Sequence, residues 1–170
     1  MAIFKLQFTS KYKEYDRGKF DCGNSELNTY LKHRVSQDVR NNLALCFVAV
    51  VENKIAGFYT LSQHAVSRDE LPENIRRKIP ESYIGPATLL GRLAVDKSYQ
   101  RKGVGTKILQ HAILMICQGN QKAATLGAIV IAKYNAEVFY LKNGFSLIDK
   151  EQRKYFLPIK VINSLVETAS

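Results

Sequence analysis

The sequence predicts an α/β fold, a central mixed, mostly antiparallel sheet flanked by helices. Three observations lead there. Short runs rich in β-branched and aromatic residues recur along the chain. Two longer stretches space their apolar residues three and four apart, as an amphipathic helix does. Early strands follow one another across short polar breaks, which favours antiparallel hairpins, whereas a later strand–helix–strand order implies a parallel crossover.

Ile3 to Phe8 reads as the first strand. Beyond the polar "TSKYKEYDRGKFDCGN", Leu27, Tyr30, Leu31, Val35 and Val39 mark one face of a helix from about Ser25 to Arg40. Asn24 is its expected N-cap, and Lys32, Arg34, Gln37 and Arg40 form its other face. "LALCFVAVVENKIAGFYTLSQHAV" reads as a hairpin turning at Glu52-Asn53. "SRDELPENIRRKIPES" is a polar excursion with room for one helical turn, and "ATLLGRLAV" returns to strand. A helix with a broad apolar face begins at Val104, and "TLGAIVIA" is a buried strand. "NAEVFYLKNG" is a short helix stopped at Gly144, and "FSLI" and "YFLPI" close the chain as strands.

At 170 residues the whole chain, 1–170, suits one domain. No apolar run reaches the ~18 residues of a spanning helix, and "MAIFKLQFTS" alternates like a strand rather than a signal peptide. A cytoplasmic protein without membrane association is expected. Cys22, Cys46 and Cys117 are odd in number and lack a C-x-x-C pair, so reduced thiols are expected rather than a disulfide framework. His33, His64 and His111 are scattered, and no metal site is expected.

Charge is more informative. The formal net charge of +10 attracts polyanions. Lys11, Lys13, Arg17 and Lys19 form one basic cluster; Arg76, Arg77 and Lys78 a second; Lys150, Arg153 and Lys154 a third. With Arg92 they are the candidates for a surface that tracks phosphates. No RRM or KH signature is present, so recognition would rest on backbone and shape.

The junction "LLGRLAVDKSYQRKGVGTKIL" carries the chemistry. A strand enters a glycine-rich turn and then a helix, whose first amides have no intrahelical partner and sit at the positive end of its dipole. Glycine keeps side chains out of the way, and Arg101 and Lys102 add cations, which makes a pyrophosphate cradle. A Walker loop needs a different glycine spacing. A dinucleotide fingerprint needs a third glycine where Ile108 stands. What remains is [QR]-x-x-G-x-[GA], met by Gln100, Arg101, Lys102, Gly103, Val104 and Gly105, with Thr106 following.

This loop resembles the acetyl-CoA loop of the GCN5-related N-acetyltransferases (GNAT), and "IAKYNAEVFYLKNGF" resembles that family's second signature. The resemblance implies a GNAT fold, acetyl-CoA as acyl donor, and backbone groups of Leu93, Ala94 and Val95 beside the pantetheine arm. It further implies that Asn135 holds that arm, that Phe139 lies beside the thioester, and that Tyr140 is the general acid at the coenzyme A sulfur. "FDCGNSELNTYL", "YTLS", "LPENIRRKIP" and "LLGRLAVD" together resemble the GNAT toxins of bacterial toxin–antitoxin modules, which acetylate the amino group of aminoacyl-tRNA. That resemblance implies aminoacyl-tRNA as substrate, a ribbon-helix-helix antitoxin, contact with operator DNA only through the antitoxin, and a homodimer.

No carboxylate stands out as a general base. Glu137 lies three residues from Tyr140 but is expected to face solvent. An α-amine, with a pKa near ~8 against ~10.4 for lysine, has less need of one. Two other readings stay open: a GNAT acting on a protein N-terminus or small amine, and a silent acyl-CoA or RNA-binding module.

Overall fold

The computed structural model describes residues 5–170. Seven strands, β1 (Gln7–Thr9), β2 (Leu45–Val51), β3 (Lys54–Ser67), β4 (Ile84–Val95), β5 (Gly127–Ile131), β6 (Ser146–Asp149) and β7 (Lys154–Pro158), form one sheet. Their order is β1-β2-β3-β4-β5-β7-β6. The chain groups into two compact units. One holds the chain up to Ser62 with Gly91–Ala112, the other Gln63–Leu90 with Ile113–Ser170.

In the first unit β1, β2 and β3 pair antiparallel, with Phe8 opposite Ala49 and Val48 opposite Phe58. Glu52 and Asn53 both take positive φ, 47° and 63°, as the twist of a tight two-residue hairpin demands. The expected first strand is observed at its C-terminal end, while Ile3 and Phe4 lie outside the described residues. The expected helix is present, with the Asn24 side chain accepting from Leu27 N at 3.1 Å.

That helix is not uniform. α1 (Ser25–Thr29) and α2 (Val35–Arg40) flank one π turn, Tyr30–Arg34. There the Val35 N–H reaches back five residues to Tyr30 O, and Arg17 Nη1 donates to the Leu31 carbonyl at 3.1 Å. Leu27, Tyr30, Leu31 and Val35 pack with Phe20, Val48, Val50 and Phe58 in one buried cluster. Each such side chain contributes about 1.5–3 kcal/mol relative to exposure. Helix α4 (Val104–Asn120) carries His111, whose ring stacks on Phe8 at 4.1 Å and whose Nδ1 meets Tyr59 OH at 2.8 Å. Burial lowers the pKa of this histidine and favours its neutral form.

In the second unit β4 and β5 run parallel from Thr88 opposite Ala128 to Leu90 opposite Val130, the expected crossover pair. β7 pairs antiparallel with both β5 and β6. Val66, Leu71, Ala87, Ile129 and Phe156 form its core, and Ile75 and Ile79 of the polar excursion pack on it. The excursion holds one short helix, α3 (Glu73–Arg76). Before it, Ser67 and Glu70 close a capping box, and Glu70 Oε1 takes a 2.6 Å salt bridge from Lys154 Nζ. His64 Nε2 is buried without a hydrogen-bond partner, and desolvation, then the charge of Lys154, lowers its pKa.

One expectation is overturned. The chain does not close on strands, because helix α6 (Ile159–Ala169) follows β7. Ile162 is its fully buried residue, and Pro158 at its N-cap takes the extended conformation that ends the strand. The three cysteines are free, as expected. Among the described residues no helix is long and apolar enough to cross a membrane.

Candidate active site

The glycine loop belongs wholly to the first unit. Asp96 N–H donates to Ala56 O at 2.8 Å as β4 ends, and Asp96 Oδ1 accepts from Ser98 N at 2.9 Å, forming a 3-10 turn over Lys97–Tyr99. Arg101 and Gly103 take φ of +59° and +79°. Left-handed residues on either side of Lys102 supply the backbone alternation from which anion-binding nests are made.

Gly103 O accepts from Lys107 N at 3.3 Å, so Gly103 is the N-cap of α4. It brings no side chain to occupy the first amides of that helix, those of Val104, Gly105 and Thr106. Nothing lies within 4 Å of where its Cβ would stand, and α4 has no acidic residue in its first turn. Val104 is buried and anchors the turn from below. The helix start therefore has open space beside Gly103, and helix N-termini of this kind favour anions.

Other sequence-predicted residues here have partners of their own. The Gln100 side chain points away from the cradle, with Nε2 donating to Val95 O and Cys22 O, each at 2.8 Å. Its backbone N–H donates to Lys97 O at 3.4 Å. Lys102 Nζ donates to Ser98 O at 3.0 Å, and Arg101 is exposed. Ala94 is buried, while Leu93 and Val95 are half-buried at the end of β4.

In the second unit, Tyr140 lies on α5 (Glu137–Lys142). Gly144 N donates to Leu141 O and Phe145 N to Tyr140 O, a Schellman motif with Gly144 at φ +91°. The Phe145 ring meets Tyr140 edge-on at 5.5 Å, and Phe139 does so at 5.2 Å. The "YLKNGF" sequence thus ends the helix and fixes the tyrosine at once. Burial raises the Tyr140 phenol to about 12, so it is protonated at neutral pH. The short helix starts two residues later than expected. Asn135 lies before it, exposed and left-handed at φ +70°. Glu137 is within 3.7 Å of Arg153.

The basic candidates divide. Lys11, Lys13, Lys19, Arg77, Lys78 and Lys150 are exposed, and Arg76 is half-buried. Arg17 braces the π turn and Arg92 lies 3.5 Å over the Tyr30 ring. Arg153 approaches Glu137 and stacks over Tyr134 at 4.8 Å. Lys154 is no part of a solvated cluster, for its side chain is 7% exposed and bound to Glu70. Sequence reasoning also missed Asp96, Asp21 and Asn28. Asp21 carried a signal in the D-C-G-N turn, where its Oδ1 accepts from Gly23 N at 2.9 Å. Among the described residues no cluster could hold a metal ion.

Comparison with known proteins bears on this geometry. The model of the acetyltransferase (GNAT) domain matches residues 42–147, more than half of the chain. A tRNA-acetylating toxin of Mycobacterium tuberculosis is 28% identical over 89% of this chain and 90% of its own. Among solved structures, AtaT complexed with acetyl-methionyl-tRNAfMet matches with a TM-score of 0.86 at 28% identity, over 95% of this chain and 99% of that one. A tyrosine-to-phenylalanine variant of AtaT, bound to acetyl-CoA and to the C-terminus of the antitoxin AtaR, matches at 0.79 and 26% over 95% and 98%. With the loop, the tyrosine helix and the strand order in place, this chain belongs to the GNAT acetyltransferase family and is an acetyltransferase.

Proposed function

We propose that this acetyltransferase transfers an acetyl group from acetyl-CoA to the α-amino group of an aminoacyl-tRNA and acts as the toxin of a toxin–antitoxin pair. The observation that carries this is the near full-length likeness to a protein solved with an acetylated aminoacyl-tRNA. The charge of +10 is what a polyanionic substrate calls for. A ribbon-helix-helix antitoxin, operator DNA reached through it, and a homodimer complete the proposal.

The loop fits acetyl-CoA because the space beside Gly103 is what a side chain would fill. The backbone of residues 100–106 would bind the pyrophosphate, with the Arg101 and Lys102 side chains adding positive charge. Backbone groups of Leu93–Val95 and the side chains of Asn135 and Phe139 would hold the arm. Acetyl-CoA supplies the activated acyl group. Tyr140 would donate a hydrogen bond to the sulfur as charge develops there. The amine would need no dedicated base, since an α-amine is already about half deprotonated near pH 8.

Incubation with acetyl-CoA and charged tRNA, followed by mass spectrometry of the aminoacyl ends, should yield N-acetylaminoacyl-tRNA. Absence of product with every charged tRNA, alongside acetylation of a peptide or polyamine, would overturn the reading. Gly103→Val is expected to weaken acetyl-CoA binding at least about tenfold in calorimetry, because a side chain enters the cradle and a positive φ is strained. Reversing Arg77 and Lys78 to glutamate should weaken tRNA binding. The plot of log affinity against log salt should become shallower by about one for each phosphate that is no longer neutralised.

A further inference from the structure

We propose that the segment Asp21–Asn28, upstream of the residues the family model matches, is a positioning brace that sets the direction of the amides in the glycine loop. The proposal rests on the pyrophosphate reading of that loop. Two layers of hydrogen bonds carry it, all within the first unit.

The first layer ties the segment to the loop. Gln100 Nε2 bridges Val95 O and Cys22 O, so one side chain joins the end of β4, the start of the loop and the upstream turn. Asp21 N donates to Asp96 Oδ2 at 3.0 Å, and Lys97 N donates to Asp21 O at 2.8 Å. Lys97 Nζ lies 3.2 Å from Asp21 Oδ2. Five polar links thus hold residues 95–100 to Asp21 and Cys22 or to one another.

The second layer fixes the segment itself. Asn28, on the N-capped helix α1, donates through Nδ2 to Asp21 Oδ1 at 2.9 Å and accepts from Cys22 N at 2.8 Å. The loop is therefore referred to a helix whose buried face belongs to the core. The Asp21 carboxyl is held at about 2, chiefly by the Gly23 N–H, then by Asn28 and Lys97, and stays charged throughout the physiological range.

These groups are exposed or half-buried and add little to the core, which gives them a different use. An N-terminus that binds an anion works only when its amides are aimed beforehand, since every loop conformer that points elsewhere subtracts from affinity. Gln100 is thus a positioning residue, and the invariable part of its task is to donate to two carbonyls. Glutamate at that position turns both contacts repulsive with no change in size. Arginine, which the [QR] pattern also admits, keeps N–H donors.

The test is calorimetric titration of the full chain with coenzyme A, with thermal melts run alongside. Gln100→Glu and Asn28→Ala should each raise the dissociation constant about tenfold, the effect of removing one or two hydrogen bonds. Gln100→Arg should stay within about threefold of the parent. The KM for acetyl-CoA should rise in step, with kcat at saturating acetyl-CoA unchanged. Parent-like affinity in both Gln100→Glu and Asn28→Ala overturns the brace and leaves the pyrophosphate reading standing. A loss in Gln100→Arg equal to that in Gln100→Glu also overturns it, since donors would not matter. Failure of the parent chain to bind coenzyme A overturns both.

Discussion

Tyr140→Phe should lower kcat by about 10²–10³ while changing acetyl-CoA affinity by no more than about twofold. The ring packs edge-on between Phe139 and Phe145, and a phenylalanine keeps those contacts. The Schellman motif that orients residue 140 uses its carbonyl, which the substitution also keeps. Only the hydroxyl goes. A phenol raised to about 12 by burial is a weaker acid than a thiol in water, so full proton transfer to a solvated thiolate would be uphill. A hydrogen bond from the phenol that strengthens as charge grows on a departing sulfur would not need complete transfer. Ionisation of Tyr140 should therefore impose no falling limb on the pH–rate profile below about pH 11. Stopped-flow and steady-state assays across pH check both statements. Parent-like turnover in the variant would remove Tyr140 from the reaction.

Glu70→Ala should destabilise the protein by about 2–4 kcal/mol in denaturant melts. It leaves the Lys154 ammonium, 7% exposed, without its counter-charge. It also deprives Ser67 N of the Glu70 carboxylate that accepts from it at 2.8 Å. Adding Lys154→Met should restore most of the loss, because an apolar side chain of similar length needs no partner. The pair also shapes the acid limb of stability. Burial alone would raise the Glu70 carboxyl, but the Lys154 ammonium and the Ser67 N–H outweigh it and hold it below its usual value. Stability from a lowered carboxyl is complete above the unfolded pKa and is lost as pH falls through the folded one. Glu70→Ala should accordingly lose less stability than the parent between about pH 5 and pH 3.

Legibility differed by element for physical reasons. The hairpin, the Asn24 cap and the β4–α4–β5 crossover were readable because local chemistry decides them. The glycine turn before α4 was readable from spacing, and the structure adds the positive φ of Gly103 and the open space where its Cβ would stand. Gln100 was legible as part of the motif but not as a bridge, since the Cys22 carbonyl it bonds lies seventy-eight residues away. Lys154 shows the same limit, for a basic run in sequence says nothing of a glutamate eighty-four residues away. Helix α6 was within reach, with Val161, Ile162, Leu165 and Val166 at helical spacing after Pro158. The strand-like "YFLPI" before it, with Pro158 inside, hides the start of that helix in the sequence.

The π turn has a further consequence in angular terms. Leu27, Leu31, Val35 and Val39 stand strictly four apart. On a regular α-helix each step of four overshoots a full turn by about 40°, so the last would point some ~120° away from the first. One wide turn at Tyr30–Arg34 takes up part of that overshoot and returns Val35 to the core side, fully buried. The unbroken spacing of four was itself the record of a helix wound more loosely at one place. Deleting a single residue such as Lys32 would let that turn close to regular α pitch and leave Val35 and Val39 on the core side, because four α residues and five in a π turn both sweep about 400°.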